Sequence, residues 1–297
     1  MASLYTQEGK NIFRTWVLMG VFLIIVILIG WGVSVYLGDN SILYVALGFA
    51  LVSNVGAYWF SDKVAIASVG AKPADETQYK ELHRLVENLA ITAGLPKPRV
   101  YIIEDSAPNA FATGRDKNHA VIAVTTGLLS VMNRSELEGV IAHELSHVGN
   151  RDILVMTVAV VLVGFISVLA NIFLRMSYLG GDRRDKNAGP LIAVAVILAM
   201  ILAPIAAQLI QLAISRKREF LADADGALLT RYPEGLASAL QKLGSYEAPM
   251  LRASTTTAHL FISNPFGAHP AGEWLANLFS THPPIPDRVA ALTEMNV

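Results

Sequence analysis

A chain of 297 residues that is 53% apolar and only 16% charged falls well short of the roughly one-quarter charge of an ordinary soluble domain, so it divides into greasy blocks and a globular remainder. Its net charge of −1 provides no long-range field to attract nucleic acid, which argues against that class of partner. The absence of cysteine excludes disulfides, thiol catalysis and cysteine-held metals, so any metal must be held by His, Asp or Glu.

Four stretches carry no charge and are long enough for a bilayer core, which takes about 20 apolar residues. They lie between Arg14 and Asp39, Asp39 and Asp62, Asp152 and Arg175, and Lys186 and Arg216. A signal peptide does not account for the first. Its apolar core would be only about 7–15 residues, and a second span follows almost at once. Trp16, Trp31, Tyr36, Tyr58 and Trp59 sit near the ends of this pair, where aromatic belts belong. The third and fourth runs read either as spans or as buried or membrane-dipping helices. Pro204 would bend the fourth, and Gln208 and Gln211 prefer a protein face to lipid.

The expected organisation is a transmembrane hairpin over 1–61, a first globular part over 62–152, an apolar helix pair over 153–214 and a second globular part over 215–297. Leu82, Leu85, Val86 and Leu89 recur at helical spacing between Asp75 and Ala93, ended by Gly94 and Pro96. Arg99–Ile103 and Ala120–Thr125 read as β-strands. Ser135 with Glu138 has the form of a capping box opening a helix from Glu136 to about Asn150. The Thr-rich and Gly/Pro-rich stretch from Ser254 to Gly272 reads as a mobile loop.

That last helix carries His143-Glu144-Leu145-Ser146-His147. Residues four apart share a helix face, so both imidazoles can reach one tetrahedral zinc. Glu144 then stands beside the metal's open position, where a carboxylate can take a proton from zinc-bound water and pass it to a leaving amine. This is the logic of HExxH peptidases. Two histidines leave the site one protein ligand short, and Ile153 occupies the offset where some such sites place a third His. Glu219 and Asp223, four apart in Arg218-Glu219-Phe220-Leu221-Ala222-Asp223, offer a third ligand and a carboxylate to orient an imidazole. The alternative is an exposed helix with both acids solvated or paired to Arg216 and Lys217.

HELSHVGNRD, SRKREFLADADG, NAFATG at Asn109–Gly114 and THPPIPDRV at Thr281–Val289 together resemble the HtpX family of bacterial membrane zinc metalloproteases, related to the CAAX prenyl-protein endopeptidases. The resemblance covers essentially the whole chain. It implies a multi-pass protease of the bacterial cytoplasmic (inner) membrane, with its active site facing the cytoplasm and misfolded or damaged membrane proteins as substrates. It implies one Zn2+ per chain, held by His143, His147 and Glu219, with Glu144 as base. The expected fold is mainly α with a small β-sheet: a membrane-anchored, gluzincin-like HExxH metallopeptidase with two to four transmembrane helices.

Beside that resemblance, Asn109, Ala110, Phe111 and Ala112 read either as an edge strand that receives substrate backbone or as an ordinary surface hairpin turning at Gly114. His282 reads as a stabiliser of the oxyanion, against a rigid turn made by Pro283, Pro284 and Pro286. Arg288 reads as a structural partner of an acid such as Asp223. His83, His119, His259 and His269 read as surface or core histidines. Lys10 and Arg14 before the first span, against Asp39 alone after it, place the N-terminus in the cytoplasm. The basic loop holding Arg175, Arg183, Arg184 and Lys186 then disfavours two further crossings. The competing function is a non-enzymic membrane scaffold or chaperone with a structural zinc, which has no use for Glu144 beside the ligands.

Overall fold

The structure is a computed structural model that describes residues 4–179, 215–252, 254, 257–267 and 283–295. Two long helices open it, α1 (Leu4–Leu37) and α2 (Ser41–Val69), and both are long and apolar enough to cross a membrane. They touch backbone to backbone at Gly30, where a side chain would bring a Cβ to 2.2 Å from that of Ala46. Phe13, Trp16, Ile24, Leu28, Trp31, Val52, Trp59 and Phe60 remain exposed. Apolar surface on this scale is not left in water and marks a lipid-facing hairpin.

A four-stranded mixed sheet follows, in the order β1 (Lys72–Pro73), β2 (Arg99–Ile103), β4 (Val121–Thr125), β3 (Ala110–Thr113). The two longest strands pair in parallel, and β3 pairs antiparallel with β4 from Ala110 opposite Val124 to Thr113 opposite Val121. Helix α3 (Lys80–Thr92) packs Leu82, Leu85 and Val86 into the core. It is closed by Gly94 at a left-handed φ of 67°, and Asp75 lies in the turn ahead of it, accepting from the amides of Thr77 and Gln78.

After the short helix α4 (Thr126–Val131) comes α5 (Arg134–Gly149), which starts two residues earlier than the sequence suggested. Asn133, and not Ser135, is its cap. Asn133 Oδ1 accepts from the Glu136 amide at 3.0 Å, and Glu136 Oε2 accepts from the Asn133 amide at 2.8 Å. Ser135 lies inside the first turn and donates to Asn133 Oδ1. Asn out-competes Ser here because the Glu that closes the box is three residues after it and is itself fixed by Lys242 and Ser238.

The chain then turns 82° into α6 (Asp152–Leu179) through Arg151, a non-glycine residue at φ 55°. The third apolar run is thus a continuous helix to Leu179. Leu154, Val155, Val158 and Leu162 pack on Leu18, Phe22 and Val26 of the hairpin. The fourth run, with Pro204, Gln208 and Gln211, lies outside the described residues, as do Arg183, Arg184 and Lys186 of the basic loop before it, whereas Arg175 falls within α6. Helices α7 (Arg216–Thr230), α8 (Pro233–Ser245) and α9 (Ile285–Thr293) complete the globular part.

The stretch read as a mobile loop is a core element over its described middle. Ala258, His259, Leu260, Phe261 and Ile262 are buried, Phe261 meets Phe111 edge-on at 5.2 Å, and the Ile262 amide donates to the Ala110 carbonyl at 3.0 Å. The turn-forming Thr, Gly and Pro residues around it hid a short apolar segment that packs against Phe111 and Ala110, about 150 residues earlier.

Candidate metal centre

Helix α5 is buried almost all round, with Val140, Ile141, Leu145 and Val148 in the core together with His143, Glu144 and His147. Burying so many polar groups needs specific partners, and each is supplied by another element. Helix α7 crosses α5 at Gly226, where an added Cβ would stand 2.9 Å from the His143 backbone nitrogen. That close approach brings Glu219 under the two imidazoles, and the exposed-helix alternative is overturned: Glu219 and Asp223 are each 2% exposed.

His143 Nε2 and His147 Nε2 are 3.2 Å apart, and the Glu219 carboxylate reaches to 3.9 Å from the first and 3.7 Å from the second. One ligand atom from each of the three lies within 4.8 Å of the others. Donor atoms around a tetrahedral zinc are about 3.3 Å apart, given bonds of about 2.0 Å. The three groups therefore need only small adjustments to share one ion.

The other ring nitrogens fix which atoms face the ion. His143 Nδ1 stands 2.9 Å from Asp223 Oδ1, and His147 Nδ1 stands 3.1 Å from Asp152 Oδ2. A carboxylate can only accept, so each Nδ1 carries hydrogen, which leaves each Nε2 as the atom that would turn a lone pair to an ion. Without an ion one Nε2 can donate to the other across these 3.2 Å, whereas an ion between them would draw a lone pair from each; the buried set of two imidazoles and one carboxylate is the observation that fits a metal here. The orienting acids are gripped in turn. Arg288, fully buried, donates from Nε at 2.8 Å and from its terminal nitrogen at 2.6 Å to Asp223, and also reaches the Ile262 carbonyl. Arg218 donates to Asp152 Oδ1 at 3.1 Å.

Burial sets the protonation of the cluster. It pushes the Glu144 carboxyl up to about 7, against the opposing pull of His147. It drives His143 down to about 4 although Asp223 favours its charged form. At His147 burial works the other way from the outcome: the hydrogen bond to Asp152 and the charge of Glu219 override it and raise the imidazole to about 9. Asp223 stays below the usual carboxylate range, because the bonds from Arg288 and His143 outweigh its burial. The Glu144 carboxylate also accepts from the Ala112 amide, which ties it to the edge strand.

Six residues singled out from sequence converge here: His143, Glu144, His147, Glu219, Asp223 and Arg288. Ala110, Phe111 and Ala112 lie in edge strand β3 with Asn109 just ahead of it, and all four are buried, so the β3–β4 hairpin is not a surface one here. Asn109 fastens that edge to the chain at Ser263, donating to its carbonyl at 3.0 Å and accepting from its amide at 3.3 Å. His282 lies outside the described residues, as does His269. His83 bonds the Ala74 carbonyl, His119 pairs with Asp116, and neither touches the centre. Asp152, Arg218 and Asn11 were missed. Asp152 served only as the charged end of an apolar run, and the bend at Arg151 breaks the helical spacing that would have linked it to His147.

Comparison with known proteins agrees with this geometry. The model of Peptidase family M48 matches residues 76–296. A "Protease HtpX homolog" of Caldanaerobacter subterraneus subsp. tengcongensis is 47% identical over 302 residues, covering 99% of both chains. One of Syntrophobacter fumaroxidans is 49% identical, covering 95% of this chain and 99% of its own. One of Pyrococcus furiosus is 47% identical, covering 94% and 96%. Among solved structures, the crystal structure of S. mikatae Ste24p aligns with a TM-score of 0.50 at 17% identity, covering 97% of this chain and 67% of that one, a likeness of fold.

Proposed function

The chain belongs to peptidase family M48, and from that premise we propose that this membrane metallopeptidase is a zinc endopeptidase of the cytoplasmic membrane, working on the cytoplasmic side on misfolded or damaged membrane proteins. The carrying observation is the convergence of two buried imidazoles and one carboxylate with a further buried carboxylate, Glu144, beside them. A structural zinc closes its shell with four protein ligands, whereas three plus a neighbouring acid is the catalytic arrangement.

His143, His147 and Glu219 would hold the ion. When bound, zinc supplies Lewis acidity, which acidifies water and polarises the scissile carbonyl. Glu144 accepts the proton of the attacking water and returns it to the leaving amine. In the ion-free centre burial raises this carboxyl to about 7, so the surroundings favour its holding a proton more than an exposed carboxylate would. On the rim of β3 the Ala110 carbonyl is taken by Ile262, and the Ala112 amide by Glu144. Side alternation turns the Ala112 carbonyl to the same rim, next to the base, where it is the natural acceptor for a substrate amide.

The purified chain is expected to cleave a casein-like unfolded protein, to stop when zinc is chelated and to resume when zinc is returned. In proteoliposomes it should degrade a destabilised membrane protein faster than the folded parent of that substrate. A chelated chain that keeps its full rate sinks the zinc reading, and equal rates on the two membrane substrates sink the substrate class.

Orientation rests on Lys10 and Arg14, at the end of α1 that also touches the metal centre through Asn11. A reporter fused after Gly38 is expected to read as external and one after Lys72 as cytoplasmic. Finding residue 38 inside the cell would reverse the assignment.

A further inference from the structure

The first membrane helix ends its cytoplasmic turn inside the metal centre. Asn11 of α1 is fully buried, 139 residues before the bend it touches. Its side-chain amide uses every hydrogen-bonding group it has. Nδ2 donates to the Asn150 carbonyl at 2.8 Å and to Asp152 Oδ1 at 2.8 Å, and Oδ1 accepts from Arg218 at 3.2 Å. Two of the partners can only accept and the third can only donate, so the amide has a single allowed orientation. Asp152 turns its other oxygen to His147 Nδ1 at 3.1 Å. Four helices thus meet in one chain of contacts: α1 by Asn11, α7 by Arg218, α6 by Asp152 and α5 by His147.

We infer that Asn11 is a positioning residue for the metal, acting through Asp152 to set the tautomer and aim of His147. The inference rests on the zinc reading above. The chemistry calls for an amide at this position. Asp would set a carboxylate against that of Asp152 and remove both donors. Ala would leave the Asn150 carbonyl and one Asp152 lone pair without their buried partner. Asp152 needs two donors because its remaining oxygen must be held at one angle to the imidazole, and Arg218 supplies only one. The neighbouring ion pairs of Glu8 with Arg151 and Lys117 dock the same helix end without touching Asp152. Glu8 therefore separates docking from positioning. The consequence is that the membrane hairpin is part of the peptidase centre, in addition to being its anchor.

The test uses the full-length chain in detergent and reads zinc affinity by chelator competition, together with the visible spectrum of the cobalt-substituted protein, which reports ligand geometry. Asn11→Ala is expected to weaken zinc about tenfold, at the low end for groups that orient a ligating imidazole, and to shift the cobalt bands. Glu8→Gln should leave both at parental values. In an Asp152→Ala background, Asn11→Ala should add less than about twofold, because the route through Asp152 is already cut. Should the Ala variant not fold, the isosteric Asn11→Asp carries the same expectation. Parental affinity and spectrum in the folded Asn11 variant overturn the inference, as does a Glu8→Gln loss equal to that of Asn11→Ala, or a full tenfold effect that persists without Asp152. A parent chain that binds neither ion instead removes the zinc reading, and the inference with it.

Discussion

Glu144→Gln is expected to keep the fold and the metal while losing about 10²–10⁴-fold in kcat, the range for removing a general base. The substitution is close to isosteric, and the Gln carbonyl can accept from the Ala112 amide as the carboxylate does. His143, His147 and Glu219 are untouched, so zinc stoichiometry should equal that of the parent. Burial penalises the charged form of Glu144. A neutral amide avoids that penalty, so the melting temperature should hold or rise. The measurement is turnover of an unfolded protein with metal content determined on the same sample. A Gln variant that turns over near the parental rate with zinc in place would leave the proton without its proposed acceptor and sink the mechanism.

What could be read from the sequence was what local spacing encodes. His143 and His147 share a face because four residues make one turn, and no tertiary knowledge is needed. The spans of α1 and α2 follow from uninterrupted apolar length. Arg99–Ile103 is a strand with the bounds its β-branched residues suggest. Glu219 and Asp223 carry the same one-turn signal, but only the close crossing at Gly226 brings that acidic helix within reach of the two imidazoles. The failures share a cause. Asp152 sits past a left-handed residue that resets the helical phase, Phe261 and Ile262 hide among turn formers, and Asn11 is one polar residue ahead of a span. Each acquires its role from partners more than a hundred residues away or across a bend, so composition and periodicity carry no trace of it. The cap of α5 failed for a different reason. Asn133 with Glu136 and Ser135 with Glu138 are overlapping candidates, and Lys242 and Ser238, distant in sequence, favour the first.

Glu219→Ala should lose both zinc and cleavage, with affinity falling by more than the roughly 10–100-fold expected for an orienting residue such as Asp223. The argument is one of ligand count. Catalytic zinc takes three protein ligands plus water, the chain has no cysteine, and among the described residues His143, His147 and Glu219 form the group whose ligand atoms lie within 4.8 Å of one another. Removing the carboxylate leaves two imidazoles, a set that holds zinc poorly. The Asp223–Arg288 and Asp152–Arg218 pairs survive the change, so metal-free parent and variant should melt at similar temperatures, which separates loss of a ligand from loss of the fold. Asp223→Ala should fall in the intermediate range, since it frees the His143 ring and strands the fully buried Arg288. Glu219→His offers the third nitrogen of a His₃ set and should regain part of the zinc, with altered activity. Stoichiometric, tightly held zinc with normal cleavage in Glu219→Ala would mean that the third ligand lies elsewhere, in which case the crossing at Gly226 serves packing alone.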